Sequence, residues 1–480
     1  MDPQIHEKIA VYLRNQLAQA DKRLKAYTID RDGRDYFKRS AALVLRKYLR
    51  DYTQLGKEPR WIAVSGLRGV GKTTLLAQLY TELRCGPNCK LYISLDEART
   101  VLGVSLNDIL TVYEEILGVV FENLKDSVYI FIDEIQYEEN WGLILKSLYD
   151  RTNKVFIFCT GSSALSLQTN PDVSRRVIFE KLYPMSFTEY MMIKERKTPI
   201  TGLGSAIREV LLNSVSAEEL YLSLQKFQSS VNKYWSTIDR LEIDKYLKYG
   251  SLPFTLQYNQ EPLIYEQIER TLTNIITKDI PQLGKFDQTT INRMTQILYT
   301  IASSDITSLQ SLTKDLGMSI TTVAEILDVF EKSEVLLRVY PDGSLFGQVK
   351  KPSKYLFLAP AYRSMFFNLI GSIITYDNYK GKLLEDAVGL YLSRILGLRF
   401  GSALTYDITP SSADFIITLS TVKNKRIPVE VGFGSKTFIQ VKQTMAKINA
   451  SYGLSVSASR LALNEEKNIV SVPLSFFLLI

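Results

Sequence analysis

Trp61-Ile-Ala-Val-Ser-Gly66-Leu-Arg-Gly-Val-Gly71-Lys-Thr-Thr74 is the stretch on which the reading of the chain turns. Trp61 to Ser65 is a short apolar strand, a glycine-rich turn follows, and Lys72 to Leu83 reads as a helix. The string G-x-x-x-x-G-K-T between a strand and a helix is a phosphate cradle. Its glycines let backbone N–H groups curl around phosphate oxygens, and the helix N-terminus adds the positive end of its dipole. The expected nucleotide contacts are Gly66, Leu67, Arg68, Gly69, Val70, Gly71, Lys72, Thr73 and Thr74. Lys72 is expected to reach the β- and γ-phosphates, and Thr73 to offer its hydroxyl to magnesium.

A second acidic signal follows in Tyr129-Ile-Phe-Ile-Asp133-Glu134, four apolar strand residues ending in two carboxylates. Asp133 is suited to holding magnesium, and Glu134 to orienting or deprotonating an attacking water. An acid at that second place favours hydrolysis of ATP over binding alone. Another apolar run, Val155–Cys159, ends in Thr160-Gly-Ser162-Ser163. Ser162 is the expected γ-phosphate sensor there; an ordinary strand-end turn is the alternative. Arg175 and Arg176 precede Val177, and either one is an arginine-finger candidate reaching a neighbour's ATP. A plain surface pair explains them as well.

Working outward, the strands Trp61–Ser65, Leu91–Leu95, Val128–Ile132 and Val155–Cys159, with Val177–Phe179 as a fifth, alternate with helical stretches. That order predicts an α/β fold, a P-loop parallel sheet covered on both faces. Ahead of it, residues 4–28 place Ile5, Ile9, Leu13, Leu17 and Leu24 at helical spacing. A second helix after Gly33 has Tyr36, Phe37, Val44, Tyr48 and Tyr52 as its expected inward face, and Pro59 closes it. Residues 1–60 hold 14 Lys/Arg against 8 Asp/Glu, most of the net charge of +7. Such an excess suits nucleic acid or simply a solvated face.

At 480 residues the chain exceeds one core. The expected parts are the basic helices 1–60, the ATPase core 61–190, a helical lid 191–255, a helical connector 256–305, a winged helix 306–360 and a last α/β domain 361–480. The winged helix rests on Leu309, Leu312 and Leu316, then a helix capped by Ser319 with Val323, Ile326, Leu327 and Phe330 inward, then strands near Val335–Tyr340 and Tyr355–Leu358. Its second helix turns Glu325, Asp328 and Glu331 outward, which repels phosphates. Its hairpin cations Arg338, Lys350, Lys351 and Lys354 are therefore the expected DNA contacts, without sequence choice. In the last part, Gly381–Leu396 reads as a helix, Ala413–Leu419 and Arg426–Val431 as strands, and Val472–Ile480 as a final strand. The cysteines are Cys85, Cys89 and Cys159. The first two flank the turn Gly-Pro-Asn and read as bland loop cysteines, with a reversible disulfide as the alternative; Cys159 reads as a buried small hydrophobe. No apolar stretch approaches the ~20 residues of a membrane span, and no export signal opens the chain, so the cytoplasm is the expected location.

Taken together, the Gly66–Thr74 loop, Ile132-Asp-Glu-Ile-Gln136, Thr160-Gly-Ser-Ser163, Leu182-Tyr-Pro-Met-Ser-Phe-Thr-Glu-Tyr190, Tyr249-Gly-Ser-Leu-Pro253, the Lys351–Leu358 strand and the Leu383–Val388 helix resemble archaeal and bacterial AAA-type ATPases. Those enzymes fuse a P-loop domain to a winged helix and a C-terminal restriction-endonuclease-like domain. The resemblance spans nearly the whole chain. It implies ATP hydrolysis with magnesium, a homo-oligomeric ring or dimer in some members, and a DNA-related role. It also implies a metal-binding acid set at Glu385, Asp414 and Glu430. The family's Glu-x-Lys lysine falls here on Gly432, and Lys436 follows at the wrong spacing, so a degenerate domain that binds DNA or a partner is expected ahead of an active nuclease. The leading expectation is thus an ATP-hydrolysing, DNA-dependent enzyme acting on forked or branched DNA in remodelling or repair. A nucleotide-controlled switch that holds ATP or ADP and recruits a protein partner is the alternative, and an ATP-controlled metal-dependent nuclease is a third.

Overall fold

Strands that read as unbroken apolar runs need cover on both faces, and the computed structural model supplies it. It describes residues 1–161, 173–303, 309–344, 348, 351–369, 375–420, 425–434 and 438–480. The chain divides into two compact units, Met1–Leu182 and Tyr183–Ile480.

The first unit is built on β1 (Trp61–Ser65), β2 (Lys90–Ser94), β3 (Val128–Asp133), β4 (Val155–Gly161) and β5 (Ile178–Lys181). They form one parallel sheet in the order β2-β3-β4-β1-β5. The helices are α1 (Pro3–Lys25), α2 (Ser40–Leu55), α3 (Lys72–Glu82), α4 (Leu95–Leu102), α5 (Leu106–Leu117) and α6 (Trp141–Arg151). The N-terminal helices are no separate appendage. α1 packs on α3, α5 and β2, and Ile9 and Leu13 share a core with Trp61 and Ile130. The inward face of α2 is Ala42, Leu45, Leu49 and Tyr52; Tyr52 is inward as expected, whereas Val44 is exposed and Tyr36 and Phe37 precede the helix. Part of the basic surplus meets acids from beyond residue 60, Arg23 pairing with Glu97 and both Lys38 and Arg46 with Glu82, while Lys25 pairs with Asp35 inside the segment. Cys85 and Cys89 form a disulfide, with Cα atoms 6.2 Å apart, so the bland reading of that pair gives way to the bonded one. Cys159 is buried on β4 and its thiol is pushed up to about 12 by burial.

The second unit joins a helical stretch to a mixed eight-stranded sheet. Its strands are β6 (Leu336–Pro341), β7 (Lys354–Phe357), β8 (Ser402–Tyr406), β9 (Phe415–Leu419), β10 (Lys425–Gly432), β11 (Gly453–Ser457), β12 (Ala462–Asn464) and β13 (Ile469–Pro473). Their order is β12-β13-β11-β10-β9-β8-β6-β7. The final run is not one strand. Pro473 closes β13, and Leu474–Phe477 is a short helix whose apolar side chains are buried. Helices Leu309–Leu316 and Ile320–Lys332 precede β6, and Ser319 caps the second through Thr322 N–H, as expected. The β6–β7 pair is not a free wing, however. β6 also pairs in parallel with β8, through Tyr340 with Thr405 and Pro341 with Tyr406, so the hairpin belongs to the C-terminal sheet.

The segment expected as a lid packs within this second unit. Ser186 and Glu189 form a capping box at Phe187–Glu195. Arg394, on helix Tyr376–Leu396, grips Glu189 at 2.8 and 3.0 Å. Tyr391 Oη accepts from Phe187 N–H at 2.6 Å. The Trp235 indole stacks on Phe187 and donates to Ser475 O at 2.7 Å. A buried pair anchors the middle of the same long helix. Arg363 donates to both oxygens of Asp386, at 2.6 and 2.9 Å, and to Ile301 O and Ala302 O.

Candidate nucleotide site

Sheet order places the chemistry. β1 runs into Gly66, and β4 separates it from β3, whose last residue is Asp133. In open parallel sheets, ligands sit beyond the carboxyl ends of the strands. Gly66 has no room for a side chain, since a Cβ would stand 2.5 Å from Leu182 O. Gly69 and Gly71 adopt φ of +85° and +97°, the left-handed region that glycine enters without steric cost. Gly71 is the N-cap of α3, so the helix begins with Lys72. Leu67 and Val70 are fully buried and pin the loop from beneath.

Lys72 is 5% exposed, and its ammonium donates to Gly66 O at 2.7 Å and Leu67 O at 3.2 Å. Thr73 Oγ1 donates to Asp133 Oδ2 at 2.8 Å. Thr160 Oγ1, from β4, donates to Asp133 Oδ1. Burial raises the Asp133 pKa and Glu134 adds to the rise, while the Thr160 and Thr73 hydroxyls and Lys72 pull it down. Glu134 holds φ of +56°, uncommon for a residue with a side chain. Its carboxylate accepts from Gln136 Nε2, and its N–H reaches Thr160 Oγ1 at 3.4 Å. A hydroxyl and a carboxylate already in contact are hard oxygen donors of the kind magnesium takes. With the side-chain-free cradle at Gly66, they fit a nucleotide with its metal.

Sequence reading gave no role to three residues here. Thr160 lies between the loop and Asp133, and only the strand order reveals that. Gln136 holds the second acid. Arg39, counted merely as one basic residue among many, is buried and donates to Val70 O at 2.8 Å, bracing the loop. Of the other expected residues, Ser162 lies outside the described residues. Arg176 is committed to Asp150 at 2.7 and 2.9 Å, which leaves the exposed Arg175 as the better finger candidate.

The acids of the second unit also come together. Glu385 is on helix Tyr376–Leu396, Asp414 just before β9 and Glu430 on β10. Asp414 is pushed up to about 7 by burial, against the pull of Lys354 and with the added push of Glu385 and Glu430. The expected DNA contacts fare differently. Lys354 is buried and ion-paired to Glu385, so it offers nothing to a phosphate outside. Arg338 is partly buried, donates to Ser353 Oγ at 2.9 Å and lies 4.6 Å over the Tyr340 ring. Lys351 is exposed, and Lys350 lies outside the described residues. Among the described residues, no helix is long and apolar enough to cross a membrane.

Residues 58–191 match the AAA domain family, and residues 240–365 match a domain of unknown function, DUF8612. The chain is 35% identical to the uncharacterized protein MJ1637 of Methanocaldococcus jannaschii over 474 residues, covering 98% of this chain and 93% of that one. Among solved structures it is similar to the Orc1 protein of Aeropyrum pernix in complex with DNA, at 12% identity and a TM-score of 0.29, over 68% of this chain and 91% of that one. It is also similar to the RuvB Holliday junction branch migration motor of Thermotoga maritima, at 15% identity and a TM-score of 0.28, over 63% of this chain and 90% of that one.

Proposed function

Since the chain belongs to the family of MJ1637 and carries an AAA domain, we propose that it binds ATP with magnesium and hydrolyses it. The observation that carries this reading is the contact of Thr73 with Asp133 beside the Lys72 ammonium. Lys72 exchanges its two loop carbonyls for phosphate oxygens. Thr73 and Asp133 would hold the magnesium, which when bound would supply positive charge to neutralise the phosphates. Glu134 orients the water, and Gln136 fixes where its carboxylate points. Arg175 serves a neighbouring copy in a ring or dimer.

The turnover acts on DNA, without sequence choice, at forks or branches. The chain's net charge of +7 and the exposed Lys351 support this use. A second reading, a nucleotide switch that recruits a protein, draws on the internal pairing of Lys354, Arg338 and many N-terminal cations. ATP turnover measured with single-stranded, duplex and forked DNA across a salt series separates the two, with Lys72→Ala as the blank. Stimulation that falls steeply with salt supports the DNA reading. Turnover indifferent to every DNA supports the switch, and no Lys72-dependent turnover at all removes the ATPase.

A further inference from the structure

The resemblance to restriction-endonuclease-like domains implies a divalent metal among Glu385, Asp414 and Glu430, with a lysine at the position that Gly432 occupies. The residues present do not fit that group. Lys354 enters the cluster from β7, two strands away from β8 in the sheet order. Its ammonium pairs with Glu385 Oε1, lies 3.5 Å from Asp414 Oδ1 and donates to Asp414 O at 3.3 Å. The side chain is 7% exposed, and the ammonium sits 5.0 Å from the centre of the Phe415 ring. An ammonium has three donors, and three acceptors surround this one.

The strand that delivers Lys354 is itself fixed. Phe357 N–H donates to Asp386 Oδ1 at 3.0 Å, and Asp386 is the neighbour of Glu385 and the partner of Arg363. Asp414 also accepts from Val431 N–H at 2.8 Å, which turns its second oxygen toward the backbone. Among the described residues, no three carboxylate, histidine or cysteine side chains are arranged to hold a metal ion. A divalent ion entering here has to displace a buried ammonium from all three of its acceptors and leave that charge without a partner, which is strongly unfavourable.

We infer that Lys354 is the resident cation of this centre, so that the second unit takes up no divalent metal at Glu385, Asp414 and Glu430 and does not cut phosphodiester bonds. The lysine lost at Gly432 is not replaced in its role: the cation now comes from another strand and fills the metal's place. This inference is independent of the nucleotide reading.

The test is Mn2+ titration followed by electron paramagnetic resonance on the nucleotide-free full chain carrying Asp133→Asn, which removes the carboxylate of the P-loop site. The expected result is no bound Mn2+ at millimolar concentration and a melting temperature unmoved by EDTA. Stoichiometric Mn2+ binding that Glu430→Gln abolishes overturns the inference. A double-mutant cycle supplies the second measurement. Lys354→Met and Glu385→Gln should each lower the melting temperature, and the double variant should recover much of the loss. Strict additivity counts against a resident cation. Should Lys354→Met fail to fold, the Mn2+ titration decides alone.

Discussion

Thr160→Val tests the part of the nucleotide site that sequence reading passed over. Valine keeps the shape of threonine and removes one hydroxyl. Thr160 is fully buried, and its hydroxyl donates to Asp133 Oδ1 while Thr73 occupies Oδ2. Were Thr73 to turn to magnesium as proposed, Thr160 would remain to orient the carboxylate and to hold down a pKa that burial drives up. A hydrogen bond to a charged group contributes roughly 1.5–3 kcal/mol. At about 1.4 kcal/mol per tenfold, that is a loss of roughly 10- to 100-fold in magnesium affinity, the range found for outer partners of metal ligands. The assay is ATP turnover against free Mg2+ at saturating ATP, with a thermal melt to verify the fold. The half-saturating Mg2+ should rise by that factor, and high Mg2+ should restore much of the rate. A folded variant with the parent's Mg2+ dependence refutes the reasoning.

Two further outcomes are expected. Glu134→Gln should retain nucleotide in equilibrium binding while single-turnover hydrolysis falls by roughly 10²–10⁴-fold, the usual worth of a positioned base. In the second unit, burial alone would raise the Glu242 carboxyl, but Lys194, Lys245 and the Tyr190 hydroxyl outweigh it and hold it below its ordinary value of 4.5. A depressed carboxyl stabilises the fold fully above that ordinary value and loses its effect as pH falls through the lower one. Melting followed by circular dichroism should therefore show an acid-side decline that Glu242→Gln flattens. An identical decline in the variant removes Glu242 as its source.

The P-loop unit was legible because phosphate chemistry dictates residues at fixed short spacing. Gly66, Gly71, Lys72 and Thr73 are neighbours in sequence, so their geometry is local. Asp133 and Glu134 were legible as the acidic end of a buried strand. Thr160 and Arg39 were not, since each meets its partner only through strand order or helix packing. The inward face of α2 was only partly legible: Tyr52 was placed correctly, but aromatic residues drew the rest of the stripe toward Tyr36 and Phe37, whereas Leu45 and Leu49 set it. The second unit was harder still. Lys354 looked like a hairpin cation because it sits amid Lys350 and Lys351, and nothing nearby announces acids contributed by positions 385 and 414. Strand β8 escaped notice as a short run after an exposed Leu398 and Phe400. The last apolar run was long enough for one strand, but Pro473 cannot donate within a ladder and turns it into a helix.

β6 has neighbours on both sides, β7 and β8, and that makes the segment from 336 to 473 a single plank. Neither end can be excised, grafted or rearranged without splitting the plank along its length. A fragment ending between β7 and β8 strips β6 of a partner, and one beginning after β7 bares the edge of β8. Unpaired edges of that kind recruit other chains, so such pieces are expected to clump on expression, whereas a cut at the border of the two units, near Leu182, leaves every ladder whole.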